Sequence, residues 1–467
     1  MASEPAAESA ARPREDARGA HEDIAERLAQ LLGEPLTGRL ERLSSGASRA
    51  TYAFATAAHG ELVVQIERRA AAEREAQAQA ALLAAAAQAG VPVPALIAHG
   101  SQDPALGGSW IVMGAVTGTT DPRRILAAEG VPAAGDLIDS IAAALAAVHR
   151  MPADGALAPV VDDPLARLRA VYDGLAQPHP VFELAFGALG GDRPAPERAL
   201  VHGDFRVGNL MVGAGGVSAV LDWELAHVGD PLEDLGWLCV PAWRFMRPDR
   251  PAAGLATREA LARAYERHSG REVDMAALRR WELAGTLRWG VICVMQAFTH
   301  LSGARRSLEH AVIGRRACEV EWDLLEMLDP QAAPSGARAA PEGADEPPPP
   351  ALHDRPTAEE LLEAARGALG EHVLGGLEGR AEFELRVALR ALGMVGRELR
   401  YSSEHEQLRA AALARLGAGD EAELAGAIRA GALRGREAEL CAALREIVRA
   451  KLEVANPRYL EGAGPRS

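Results

Sequence analysis

The sequence has little of what marks secreted, membrane-bound or zinc-binding proteins. It contains four cysteines in 467 residues and no C-x-x-C pair, which argues against a disulfide framework and against a zinc site. No stretch approaches the roughly 18 uninterrupted apolar residues of a membrane-spanning helix. The first two dozen residues mix both charges and lack the apolar core of a secretory signal. We therefore expect a cytoplasmic protein with reduced thiols and no membrane partner.

Positive charge is also scarce relative to negative charge. The chain has 50 Lys plus Arg residues against 65 Asp plus Glu, and its formal net charge at pH 7 is −15. A polyanion would be repelled by this excess, so nucleic acid is excluded as the main partner. The apolar fraction of 48% and the length are sufficient for about two or three domains with ordinary cores.

The sequence does contain a compact set of oxygen ligands. In HGDFRVGNLMV, residues 202–212, Asp204 and Asn209 have the H-x-D-x-x-x-x-N spacing of a kinase catalytic loop. A strand, a turn at GAGG and a second strand follow, and Asp222 ends the second strand. Transfer of the γ-phosphate of ATP needs a carboxylate that accepts a hydroxyl proton and hard oxygen ligands that hold Mg²⁺. We predict Asp204 as the base and Asn209 and Asp222 as the magnesium ligands, because aspartates that merely cap turns would not share this spacing.

HGDFRVGNLMV and the following VLDWELAHVGDPLEDLGWL together resemble the signature of the aminoglycoside phosphotransferase family, whose fold is similar to that of protein kinases. The resemblance covers about residues 22–329. It implies an α+β, bilobal protein-kinase-like fold with a small β-rich N-lobe and a helical C-lobe. It also implies an ATP- and Mg²⁺-dependent phosphotransferase that acts on an alcohol group of a small molecule. In such a site His202 orients the loop by hydrogen bonding, and Asp230 and Asp234 brace it from below.

The cation that such kinases place on the ATP phosphates is missing from its expected strand. The only lysine of the chain, Lys451, lies far beyond the kinase-like region, and the register of ELVVQI puts Gln65 at the expected position. The nearest bases, Arg68 and Arg69, are predicted to pair with Glu75 of the next helix, although they are equally typical of solvated surface residues. The candidate residues for binding ATP are Ser45, Gly46, Ser48, Arg49, Arg68, Arg69, Glu75 and Met113.

Three of these candidates depend on backbone groups. Ser45, Gly46 and Ser48 lie in a turn of small residues that lets N–H groups approach phosphates. Met113 belongs to SWIVMGAVTG, residues 109–118, which is predicted to form the strand and hinge that hold the adenine. If no cation reaches the phosphates, the protein is a pseudokinase that binds nucleotide as a signal.

A segment rich in Pro, Ala and Gly divides the chain. Beyond it, Thr357 and Glu360 form a capping box, and helices are expected at about 380–401, 404–416 and 436–455. This part resembles a small helical domain of unknown function that accompanies such kinases in some bacteria. It contains no chemical constellation, so we predict a role as a scaffold, in homo-oligomerisation or in binding a protein partner. The predicted organisation is a mobile tail at 1–21, an N-lobe with its hinge at 22–118, a C-lobe at 119–329, a linker at 330–356 and a separate all-α C-terminal domain at 357–467.

The acceptor is predicted to be a small-molecule hydroxyl substrate other than an aminoglycoside. A pocket for a polycation needs excess carboxylate, yet residues 231–330 contain 14 arginines and 14 Asp plus Glu. The overall pattern more closely resembles the kinase-like domains fused to or encoded beside acyl-CoA dehydrogenases. That resemblance implies a metabolite such as a hydroxyacyl-CoA, whose phosphates would meet Arg244, Arg247, Arg279 and Arg280.

Overall fold

The computed structural model describes residues 12–45, 49–67, 72–153, 155–191, 197–330 and 357–461. Four of the predicted nucleotide-binding residues, Gly46, Ser48, Arg68 and Arg69, lie outside the described residues. For three others, Ser45, Arg49 and Glu75, only the backbone is described. The roles of these seven residues therefore stay predictions.

The N-terminal part is an antiparallel sheet with two helices. Its elements are α1 (Arg12–Leu32), β1 (Glu41–Ser45), β2 (Arg49–Thr56), β3 (Gly60–Glu67), α2 (Ala72–Gln88), β4 (Leu96–Asp103) and β5 (Gly108–Gly114). The strand order is β1-β2-β3-β5-β4. Val64 and Ile66 of β3 lie in one core with Ile24 and Leu28 of α1, so Gln65, between them, points to the opposite face of the sheet.

Helix α1 begins at Arg12, within the segment that was expected to be a mobile tail. Two side chains of this helix are buried: Ile24 is 4% exposed and Leu28 is fully covered. Arg27 on the same helix donates from Nε to Asp103 of β4 at 2.9 Å. These contacts anchor the helix, and it extends towards the N-terminus because each added residue contributes one further backbone hydrogen bond. The helix thus reaches into the segment predicted to be a tail, and the mobility of that segment stays a prediction.

The next part contains nine helices and four short strands among the described residues. They are α3 (Pro122–Leu126), α4 (Ala134–His149), α5 (Pro164–Gly174), α6 (Pro180–Leu189), β6 (Ala199–Val201), β7 (Leu210–Gly213), β8 (Gly216–Val220), β9 (His227–Gly229), α7 (Leu232–Leu238), α8 (Arg258–Ser269), α9 (Met275–Leu301), α10 (Leu308–Gly314) and α11 (Ala317–Leu328). β7 and β8 form the hairpin predicted around GAGG, and β6 pairs with β9. This element order is the one expected for a bilobal kinase-like fold.

The C-terminal part is entirely helical over the residues described. Its helices are α12 (Ala358–Ala368), α13 (Gly379–Leu416), α14 (Glu421–Arg429), α15 (Glu437–Ala455) and α16 (Pro457–Glu461). The capping box of Thr357 and Glu360 is present at the start of α12. The helix break expected between 401 and 404 is absent, because Ser402 and Ser403 are exposed and no Gly or Pro interrupts the backbone there.

The chain divides into two compact units. The first consists of the described residues of Met1–Asp162, Ala195–Cys239 and Trp243–Leu278, and the second of those of Asp163–Pro194, Val240–Ala242 and Arg279–Ser467. The core of the second unit joins Phe182 of α6 and Leu324 of α11 to Leu413 of α13 and Leu444 of α15. Helices α13–α16 thus share their apolar core with helices from before the linker. None of the described helices is long and apolar enough to cross a membrane.

Candidate active site

Asp204 lies in the loop between β6 and β7, and its carboxylate accepts hydrogen bonds from three side chains. Asn209 donates from Nδ2 to Oδ2 at 2.6 Å, and Trp237 donates from Nε1 to Oδ1 at 2.8 Å. Arg206 donates from Nε to Oδ1 at 3.2 Å and to Oδ2 at 3.3 Å. These bonds fix the orientation of a carboxylate that is 16% exposed, so a hydroxyl group from solution has access to it.

The two predicted metal ligands are brought together by the hairpin. Asn209 ends a short 3-10 turn, and its carbonyl oxygen accepts from the backbone N–H of Leu221 at 2.8 Å. Asp222, the next residue, has a left-handed backbone with a φ of 63°. This conformation costs about 1–3 kcal/mol in a residue other than glycine, and such strain is concentrated at functional sites. Because Nδ2 of Asn209 donates to Asp204, its Oδ1 is the atom left for a metal ion.

Asn209 and Asp222 suit magnesium but do not form a complete cage. Within the described residues, no group of three or more His, Cys, Asp or Glu could hold a metal ion. Magnesium does not require such a group, because it is commonly bound by one or two carboxylates together with substrate phosphates and water. One carboxylate and one amide oxygen are consistent with that pattern.

His202 connects the Asp204 loop to the segment that carries Asp222. Its ring is fully buried, and Nε2 donates to the carbonyl oxygen of Leu221 at 2.9 Å. Nδ1 accepts from the backbone N–H of Asp204 at 3.2 Å. Burial lowers the pKa of His202, which favours the neutral ring that this donor and acceptor pattern requires. Adjacent Gly203 has a φ of 80°, and a Cβ there would overlap the carbonyl oxygen of Leu225.

Asp234 holds the same loop from α7. Its Oδ2 accepts from the backbone N–H of His202 at 2.7 Å, and Oδ1 accepts from that of Gly203 at 2.9 Å. His149 Nε2 lies 3.1 Å from Oδ2, and His149 Nδ1 lies 2.8 Å from the hydroxyl oxygen of Tyr265. Burial alone would raise the pKa of Asp234, but the hydrogen bond and charge of His149 outweigh it and lower the pKa. The carboxylate therefore stays ionised and accepts both backbone donors.

Asp230 acts on the start of α7. Its Oδ1 accepts from the backbone N–H of Leu232 at 2.9 Å, which satisfies a donor at the helix N-terminus. The backbone N–H of Asp230 donates to Glu233 Oε1 at 3.2 Å. These two bonds fix the beginning of the helix that carries Asp234.

Gln65, at the strand position where the phosphate cation was expected, belongs to a neutral amide pair. Gln79 of α2 donates from Nε2 to Oε1 of Gln65 on β3 at 3.4 Å. Gln79 follows Glu75 by one helical turn, so the phase of α2 puts an amide opposite Gln65. Met113, predicted to contact the adenine, has a side chain that is 6% exposed and belongs to the hydrophobic core. Its backbone lies between Val63 of β3 and Leu96 of β4 in the sheet, and its role in binding the adenine stays a prediction.

The arginines expected to meet substrate phosphates are mostly used inside the protein. Arg244 is 6% exposed. Arg244 and Arg247 donate to backbone carbonyl groups at 3.0–3.4 Å, and Arg280 donates to the carbonyl group of Leu189. Carbonyl groups in irregular backbone segments need hydrogen-bond donors, and these arginine side chains supply them. Of the four arginines, Arg279 is the exposed one.

Three side chains of the site were not singled out by sequence reasoning. Trp237 and Arg206 bind the Asp204 carboxylate, and His149 binds Asp234. For Trp237 a signal was available, since it follows Asp234 by three residues and so lies on the same helix face. For His149 there was none, because it lies on α4, far away in sequence.

Comparison with known proteins identifies relatives of both parts of the chain. The profile of the phosphotransferase enzyme family matches residues 39–273, and that of a domain of unknown function matches residues 375–459. Over 43 residues the chain is 51% identical to acyl-CoA dehydrogenase family member 10 of Mus musculus, which is 9% of this chain and only 4% of that protein.

Solved structures of phosphotransferases resemble this chain. A putative aminoglycoside phosphotransferase from Ralstonia eutropha is 21% identical, with a TM-score of 0.52 over 65% of this chain and 97% of that one. A spectinomycin phosphotransferase in complex with ADP and spectinomycin is 10% identical, with a TM-score of 0.48 over 65% of this chain and 98% of that one. The first similarity confirms the predicted kinase-like fold, and the all-helical C-terminal part agrees with the match of the domain of unknown function.

Proposed function

Because the chain belongs to the phosphotransferase enzyme family, we propose that it transfers the γ-phosphate of ATP, as its magnesium complex, to a hydroxyl group of a small molecule. The observation that carries this proposal is the convergence of Asp204, Asn209 and Asp222. A 2.6 Å hydrogen bond joins the first two side chains, and a 2.8 Å backbone bond joins Asn209 to the residue before Asp222.

In the proposed reaction, Asp204 accepts the proton of the acceptor hydroxyl while the hydroxyl oxygen forms its bond to phosphorus. The bond from phosphorus to the leaving oxygen of ADP breaks in the same step. Asn209 Oδ1 and the Asp222 carboxylate would hold the magnesium ion, which neutralises charge on the phosphates. His202 and Asp234 keep the loop in place and transfer no proton.

The acceptor is proposed to be a small hydroxylated metabolite. The equal numbers of acidic and basic residues over 231–330 argue against a polycationic antibiotic. A hydroxyacyl-CoA would have to be held by Arg279 or by arginines outside the predicted set, because Arg244, Arg247 and Arg280 bind carbonyl groups of the protein.

Binding of Mg·ATP tests the proposal without knowledge of the acceptor. We expect calorimetry to show metal-dependent binding that becomes at least about tenfold weaker in Asp222→Asn, because a charged ligand is replaced by a neutral one. Asparagine tolerates the left-handed backbone of residue 222, so this variant isolates the charge. Asp162→Asn, at a surface carboxylate that is 74% exposed, is the matched control. A wild type that binds no ATP at millimolar concentration would contradict the kinase function.

A nucleotide-binding pseudokinase is the second candidate, and the neutral pair of Gln65 and Gln79 is the observation that favours it. Introducing a charged pair at these two positions tests whether they face the phosphates of ATP. The double variant Gln65→Lys/Gln79→Glu is expected to bind Mg·ATP about tenfold more tightly, since a charge-assisted contact to phosphate contributes about 1.5–3 kcal/mol. Gln79→Glu alone serves as the control, because it adds only negative charge. Unchanged affinity in a folded double variant would show that this position does not face the phosphates.

A further inference from the structure

Arg206 is the cation that shares the carboxylate of the proposed base. Its Nε donates to both oxygens of Asp204, at 3.2 and 3.3 Å. Within the part of the chain that the structure describes, Nε has hydrogen-bond partners, whereas Nη1 and Nη2, the outer fork of the guanidinium group, have none. The side chain is 30% exposed. A guanidinium fork without partners among the described residues is well suited to bind a phosphoryl group through two parallel hydrogen bonds.

Contacts with aromatic rings and with the backbone define the position of the Arg206 guanidinium group. Its carbon Cζ lies 5.0 Å from the ring centre of Trp243, a cation–π distance. Trp243 packs edge-on against Trp237 with ring centres 5.6 Å apart, and Trp237 is itself bonded to Asp204. On the other side, a Cβ at Gly208 would overlap Nη1 of Arg206. The ring of Trp243, which packs against Trp237, the Asp204 carboxylate and the space left by Gly208 together restrict the orientation of the guanidinium group.

The fork lies within reach of the reacting group. A general base acts over about 2.6–3.2 Å from the hydroxyl oxygen, which in turn lies about 3–3.5 Å from phosphorus before attack. The transferring group therefore lies within about 6–7 Å of the Asp204 carboxylate. Nε of Arg206 bonds that carboxylate, and the two Nη atoms extend beyond it by the width of the guanidinium group.

The transferring phosphoryl group needs a positive charge close to it. The strand position that carries a lysine in protein kinases is occupied here by Gln65, which is paired with Gln79. We infer that Arg206 binds the transferring phosphoryl group in the transition state and supplies the charge that β3 lacks. This inference rests on the proposed function and adds a residue to it. In other phosphoryl-transfer enzymes an arginine in this role contributes about 10³–10⁵-fold to the rate.

Binding of Mg·ADP with and without aluminium fluoride tests the inference and needs no acceptor. Aluminium fluoride with ADP imitates the planar phosphoryl group, so the gain in affinity on its addition reports contacts made in the transition state. We expect Arg206→Gln to reduce that gain at least about tenfold and to leave the affinity for Mg·ADP alone within about threefold. Arg198→Gln, at a surface arginine that is 58% exposed, should behave as the wild type.

Two further variants keep the test decisive if Arg206→Gln folds poorly. Gly208→Ala displaces the flexible guanidinium without removing its charge and should reduce the gain in the same direction. Arg206→Lys keeps the charge and should retain part of the gain. A gain that survives in Arg206→Gln overturns the inference while Mg·ADP binding still supports the proposed function. Equal loss of Mg·ADP binding overturns it too, because Arg206 would then support the whole site. A wild type that binds no Mg·ADP refutes the proposed function, and the inference with it.

Discussion

Replacing Asp204 by asparagine is expected to lower phosphoryl transfer about 10²–10⁴-fold, the range that a positioned general base contributes. Asparagine keeps the shape of the side chain and can still accept from Trp237, which donates to Oδ1 at 2.8 Å. It cannot take a proton from a hydroxyl group. Binding of Mg·ATP should change much less than turnover, because the proposed metal ligands Asn209 and Asp222 remain, although Asn209 loses the acceptor of its Nδ2 bond. The measurement is ADP release by wild type and variant with a panel of hydroxylated metabolites, with calorimetry on the same samples.

Asp162→Asn is the control for this comparison, because Asp162 pairs with Arg198 at the surface and is 74% exposed. Undiminished turnover in Asp204→Asn would show that the base is another residue. A wild type that binds Mg·ATP but releases no ADP with any acceptor would instead favour the pseudokinase. Turnover by the wild type that is lost in Asp204→Asn would exclude the pseudokinase.

The sequence indicated those residues of the candidate site that lie close together in the chain. Asp204, Asn209 and Asp222 fall within a loop and one hairpin, and β7 and β8 pair where the glycine-rich turn requires. A short loop and a two-stranded hairpin leave few alternatives for where these side chains go. The same locality made ELVVQI predictable as a strand, which is β3 in the structure.

Contacts made between distant segments could not be predicted in this way. His149 on α4 reaches Asp234 on α7, and nothing in either segment specifies the other. The turn of α2 that meets β3 was equally uncertain, because an alanine-rich helix has little apolar pattern to show which residue lies opposite Gln65. Its backbone places Gln79 opposite Gln65, whereas Glu75, one turn earlier, was predicted to be the acidic partner of the phosphate cation.

The C-terminal helices illustrate the same limit. Their apolar stripes predicted helices correctly but did not show what the stripes pack against. In the structure they pack partly against α6 and α11, so Leu413 and Leu444 share a core with Phe182 and Leu324. A fragment of residues 357–467 would expose part of that core. Partner binding by the C-terminal region is therefore better tested in the full chain.

Replacing the single lysine, Lys451, by methionine is expected to lower the free energy of unfolding by about 2–3 kcal/mol. Lys451 Nζ on α15 lies 3.4 Å from Oε2 of Glu321 on α11 and 2.9 Å from Oε2 of Glu421. Glu321 is 1% exposed, so removal of the lysine leaves a buried charge poorly compensated. We expect less than the 3–5 kcal/mol of a fully buried pair, because Lys451 is 31% exposed and water screens the interaction. Chemical denaturation of the full chain measures the change.

The pH dependence of this difference has a defined sign. Burial alone would raise the pKa of Glu321, but the charge of Lys451 and the hydrogen bond of His179 outweigh it and lower the pKa from 4.5 to about 2. A carboxyl group whose pKa is lowered in the folded state stabilises the fold at pH values above its ordinary pKa. That stabilisation is lost as the pH falls through the pKa of the folded state. The difference between wild type and Lys451→Met should therefore be complete above pH 4.5 and shrink towards pH 2.

A double variant separates the pair from general damage to α15. Glu321→Gln/Lys451→Met removes both charges, so it should cost less than Lys451→Met alone. Arg386→Met removes the partner of Glu382 at a surface pair whose side chains are 61% and 35% exposed, and it should cost less than about 1 kcal/mol. If Lys451→Met costs no more than Arg386→Met, the buried pair does not stabilise the second unit. If it costs the expected amount, the single lysine of the chain stabilises the second unit by joining α15 to Glu321 of α11.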